Sequence, residues 1–88
     1  MSQSTSFQVV VTKSASKDID KLDPVVRKKI YQKIKLYSQT PLAYAKHLHN
    51  SQIGTYRWRI GNYRIIFDLD QNTIVLLKID HRSQVYQS

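Results

Sequence analysis

Arg57, Arg59 and Arg64, followed by the terminal run His81-Arg82 and Tyr86, are the residues of this chain best suited to chemistry. A guanidinium is a planar fork that grips two phosphate oxygens at once and stays charged at any relevant pH, so clustered arginines point to a phosphate-bearing guest. Histidine changes charge near its unperturbed pKa of ~6.5, and a tyrosine beside an arginine favours its ionised form. Together such groups can bind a phosphodiester and handle its protons. Each also has a plainer reading: the arginines as a solvated basic face, Tyr86 as a packing residue, and His81 as a structural or exposed histidine.

The clustering depends on the elements that carry these side chains. Tyr56 to Ile60 and Tyr63 to Leu69 alternate as strands, with Tyr56, Trp58, Ile60, Tyr63, Ile65 and Phe67 on one face and Arg57, Arg59 and Arg64 on the other. Gly61-Asn62 supplies a two-residue hairpin turn, which pairs Ile60 with Tyr63 and places Arg59 opposite Arg64. Like charges directly opposite each other are unfavourable by a few tenths of a kcal/mol up to ~1, so selection for stability alone would not favour that pairing. Asp70-Gln71-Asn72 turns the chain into a third strand, Ile74 to Ile79, and a tail begins at His81 within reach of the sheet. Asp68 and Asp70 fall on the arginine side, where they balance its charge.

Upstream, Phe7 to Val11 is β-branched and reads as a strand. Ala15, Ile19 and Leu22 lie at helical spacing behind Ser14 as N-cap, giving a short helix that ends near Leu22. Asp23-Pro24 opens a longer helix with Val26, Ile30, Ile34 and Tyr37 on one stripe, and Thr40-Pro41 ends it. Residues 40–54 form a connector holding Lys46, His47 and His49. The expected fold is α+β: a strand, a helix hairpin, then a three-stranded antiparallel meander, in one domain spanning residues 1–88.

Composition narrows the function. Eighty-eight residues leave no room for a second core, which excludes a multidomain enzyme. Fourteen Lys and Arg against six Asp, with no Glu, give a net charge of +8 and imply an anionic partner, either nucleic acid or an acidic protein. The absence of cysteine excludes disulfides, thiolate zinc sites and cysteine nucleophiles. No P-loop, GxGxxG motif or Ser-His-Asp order is present, and His47-x-His49 has no carboxylate or cysteine nearby, so no cofactor or metal is expected. No apolar run reaches ~18 residues and the opening MSQSTSFQ is no signal peptide; a cytoplasmic protein with no membrane partner is expected.

The segment YRWRIGNYRIIFDLDQNTIVLLKIDHRSQVY, residues 56–86, resembles the RelE/ParE superfamily of bacterial type II toxins, and the element order is similar over nearly the whole chain. The terminal His-Arg-x-x-Val-Tyr looks like the RelE branch. That resemblance implies a RelE-like fold and a ribosome-dependent mRNA endonuclease that inhibits translation, with a cognate antitoxin, the ribosome and mRNA as partners and a hetero-oligomer with the antitoxin as a possible assembly. It assigns the site to Arg57, Arg59, Arg64, His81, Arg82 and Tyr86, leaves the general base open, and shows a departure at Asp80, where some relatives carry a basic residue. With no metal cage legible, cleavage is expected to use the substrate's own 2′-hydroxyl. Two alternatives stand beside it: a ParE-like inhibitor of DNA gyrase without nuclease activity, and a non-catalytic RNA-binding module.

Overall fold

The computed structural model describes residues 7–49 and 51–81. The elements run β1 (Gln8–Val11), α1 (Lys13–Asp20), α2 (Pro24–Tyr37), a 3₁₀ turn (Pro41–Ala43), β2 (Lys46–His47), β3 (Tyr56–Ile60), β4 (Tyr63–Asp70) and β5 (Thr73–His81). They form one five-stranded sheet in the order β1-β5-β4-β3-β2, with the helices against one face. The expected α+β order holds, and the meander β3-β4-β5 is antiparallel as the hairpin turns required.

Two features lie beyond that expectation. β1 pairs parallel to β5 at one edge, and the connector contributes β2, antiparallel to β3, at the other. The first helix is also capped differently: Thr12, not Ser14, is its N-cap, accepting from the Ala15 N–H at 3.2 Å while its hydroxyl donates to the Leu76 carbonyl at 2.8 Å. One residue thus ends the strand pairing and opens the helix. Helix α1 stops at Asp20 because the N–H groups of Lys21 and Leu22 tighten to i−3 carbonyls, although Leu22 still packs against the core. Asp23 caps α2 as the sequence indicates, with Pro24 in its first turn.

Ala15, Ile19, Ile30 and Ile34 from the helices close over Trp58, Ile60, Ile65, Phe67, Ile74, Leu76 and Ile79 from the sheet. In β5 the inward residues are spaced 74, 76, 79, which strict alternation forbids. A bulge resolves this: Phe67 pairs with Leu76 and Ile66 with Lys78, so Leu77 is the extra residue that returns Ile79 to the core side.

The opposite, arginine-bearing face is not open along its whole length. Ile66 lies there yet is buried, because the connector folds across it at Gly54, where a Cβ would stand 2.8 Å from both Ile66 Cγ2 and Leu77 Cδ1. The Trp58 Nε1–H donates to the Pro41 carbonyl at 2.9 Å, and the Thr55 N–H donates to Asp68 Oδ1 at 2.7 Å, pinning the connector at both ends. Asp68 therefore serves the connector as well as balancing charge.

Candidate nucleic-acid interface

Strand register builds the basic face in two rungs. In the first, β2 brings Lys46 opposite Arg57, which faces Ile66 and, beyond it, Lys78. In the second, Arg59 faces Arg64, and Arg64 faces Asp80. The Arg59–Arg64 pairing expected from the two-residue turn is therefore present, but its repulsion is offset on the other flank: Arg64 Nη2 donates to Asp80 Oδ2 at 3.0 Å. Lys78 Nζ lies 3.5 Å from Asp80 Oδ1 and 3.8 Å from Asp18 Oδ2. Asp18 in turn accepts from the Ile79 N–H at 2.9 Å, so α1 satisfies the edge of β5 where β1 has ended.

Arg59 is exposed and Arg64 keeps 27% of its side chain accessible, so both present donors to solvent while their backbones are fixed in the sheet. The Arg64 Nε is buried without a hydrogen-bond partner among the described residues. Four cations on a rigid surface can hold successive phosphates of an extended strand, or two of them can clamp one phosphate while its charge rises.

His81 is placed differently from the sequence-based grouping. As the last residue of β5 it pairs with Tyr63, not with Arg64, and its ring meets the Tyr63 ring edge-on at 4.7 Å. Tyr63 also lines the groove beneath α2 with Val26 and Ile30, so His81 belongs to the helix side of the sheet. Alternation is the cause: Asp80, one residue earlier, takes the arginine side. The two still meet at a cleft of about 480 Å³ around the end of β5, lined by Asp18, Lys21, Tyr63, Lys78, Asp80 and His81. Arg82 and Tyr86 lie outside the described residues.

Lys46 and Asp80 complete the face, and neither stands among the site residues read from sequence. A two-residue strand is too short for periodicity to reveal Lys46, and strict alternation from Ile74 would send Asp80 to the core side, so only the bulge at Leu77 brings it to this face. His47 and His49 sit at the outer edge, rings 5.1 Å apart, with His47 edge-on to Tyr56.

A family described as the ParE toxin of the type II toxin-antitoxin system, parDE, matches residues 9–86. The chain belongs to the RelE/ParE superfamily of type II toxins. Toxin RelG of Mycobacterium tuberculosis is 31% identical over 84 residues, 92% of this chain and 97% of the relative. Among solved structures, this toxin is similar to the RelBE2 toxin-antitoxin complex of M. tuberculosis, with 31% identity and a TM-score of 0.78, over 88% of this chain and 99% of that one. It is also similar to the RelB-RelE antitoxin-toxin complex of Methanococcus jannaschii, at 25% identity and a TM-score of 0.67, over 89% and 95% of the two chains. The toxin shares the superfamily's fold, and no helix among its described residues is long and apolar enough to cross a membrane.

Proposed function

We propose that this toxin is a ribosome-dependent mRNA endonuclease that stops translation and is neutralised by a cognate antitoxin. The observation that carries the reading is the pair of basic rungs, with Lys46, Arg57, Arg59 and Arg64 on one rigid sheet face. A surface serving only solubility gains nothing from setting Arg59 against Arg64, whereas an anion site gains two donors at fixed separation. In the reaction the substrate's 2′-hydroxyl attacks the adjacent phosphorus, producing a 2′,3′-cyclic phosphate and a 5′-hydroxyl. Charge accumulates on the phosphoryl oxygens in the transition state, and each well-aligned arginine there contributes roughly 2 to 4 kcal/mol. Arg82 and Tyr86 extend this site as proposed contributors to charge and proton handling or base stacking. A shallow face orients a flexible RNA poorly, so the ribosome supplies the positioning.

The structural similarity to RelB-containing complexes supports the antitoxin partner. A second reading, inhibition of DNA gyrase without chemistry, is favoured by the ParE description of the matching family. A translation extract separates the two. Loss of full-length mRNA only when ribosomes are present supports the nuclease; intact mRNA with blocked supercoiling in a gyrase assay supports the inhibitor and overturns the nuclease.

A further inference from the structure

We propose that Asp80 is the general base of this site, taking the proton from the attacking 2′-hydroxyl; the inference rests on the endonuclease reading. A carboxylate is the natural acceptor on a face otherwise made of cations, and the chain supplies only six, all Asp. Asp18, Asp20 and Asp23 belong to α1 and the cap of α2. Asp70 is exposed where β4 ends, and Asp68 holds the connector through the Thr55 N–H. Asp80 remains, directly beside Arg64 in the second rung, with 21% of its side chain accessible and facing the cleft at the end of β5.

Its surroundings suit the role. Arg64 from β4 binds one carboxylate oxygen at 3.0 Å, and Lys78 from β5 lies 3.5 Å from the other, itself shared with Asp18 of α1. Two cations fix the plane of the carboxylate, yet its two oxygens offer about four lone-pair directions, so acceptor capacity remains. Arg59, across Arg64, makes no ion pair among the described residues and faces solvent, placed to grip the phosphate whose neighbouring hydroxyl Asp80 would deprotonate. His81, the other proton-handling residue in the described part of the chain near this strand end, faces Tyr63.

The step balances without a further reagent. The 2′-O–H proton passes to the Asp80 carboxylate, the freed oxygen forms a bond to phosphorus, and the bond from phosphorus to the 5′-oxygen breaks. The leaving oxygen gains a proton from water, and the carboxylic acid returns its own to solvent. Arg64 serves both groups, binding base and phosphate from one guanidinium.

The test is single-turnover cleavage of ribosome-bound mRNA by the wild-type toxin, Asp80→Asn and Asp80→Glu, with thermal melts of each. Asp80→Asn should slow cleavage by ~10² fold or more with unchanged mRNA binding, while Asp80→Glu keeps more activity than Asp80→Asn. A folded Asp80→Asn within about threefold of wild type would overturn the assignment. Should Asp80→Asn fail to fold, Asp80→Ala with added formate decides: a slowed rate restored by formate supports the base, and a wild-type rate, or a slowed rate that formate does not restore, refutes it. No cleavage by the wild type in any condition would instead overturn the endonuclease reading beneath it.

Discussion

Arg64 stands between Arg59 and Asp80, and this position separates its part in chemistry from its part in folding. Removing it relieves a like-charge contact on one side and breaks a partly exposed ion pair on the other, and such terms are each below about 1 kcal/mol. Arg64→Ala should therefore shift stability by less than about 1 kcal/mol while slowing cleavage ~10² fold or more, since a lost transition-state donor costs several kcal/mol. Thermal melting alongside mRNA cleavage on purified ribosomes checks both halves. An unchanged cleavage rate would return the arginines to a solvated basic face. The sequence alone places Arg64 against Arg59, because a two-residue turn fixes register, but not against Asp80. That contact depends on where the bulge near Leu77 resets the alternation of β5, and a bulge has no reliable signature in a single strand.

At the scale of elements, the connector decides how much of the basic face is usable. Gly54 is the point of closest approach, and a methyl group there meets Ile66 and Leu77 side chains at 2.8 Å. Gly54→Ala should destabilise the toxin by roughly 1 to 3 kcal/mol, because side chains must shift or the loop must lift. Gly61 is a useful contrast: it has φ +59° and open space around its Cα, so Gly61→Ala costs only the backbone strain of a left-handed residue, roughly 1 to 2 kcal/mol. Denaturant titration of the two variants, with single-stranded RNA binding measured in parallel, should show binding weakened more by the Gly54 change. Equal effects on binding would mean that the connector does not shape the face. The meander and both helices were legible because each carries its own local signal: Gly61-Asn62, Asp23-Pro24 and the stripe of Ile30 and Ile34. The parallel pairing of β1 with β5 was not, because it joins residues about sixty-five positions apart, Gln8 with Thr73, through no local turn. The helix-side placement of His81 was not legible for a related reason: β5 continues to His81, and one residue of extension decides which face a side chain takes.

Over the whole molecule, the +8 charge sets the strength and salt sensitivity of binding. If Lys46, Arg57, Arg59 and Arg64 each neutralise one phosphate, the log-log slope of affinity against salt for single-stranded RNA should be near −3, so doubling the salt weakens binding about sevenfold. A flat titration would remove the electrostatic part of the account. The antitoxin should couple to the toxin's small core, and saturating antitoxin should raise the toxin's melting temperature, because a partner that binds only the native state adds its binding free energy to stability. An unchanged melting temperature would exclude that linkage. The central claim is that the basic face cuts RNA through the 2′-hydroxyl, and it is tested most directly with ribosome-bound mRNA carrying a single 2′-deoxynucleotide on the 5′ side of the scissile phosphate. The account predicts that wild-type toxin cleaves the all-ribose message to a 2′,3′-cyclic phosphate and a 5′-hydroxyl and leaves the substituted one intact at that position; cleavage of both at equal rates would contradict it.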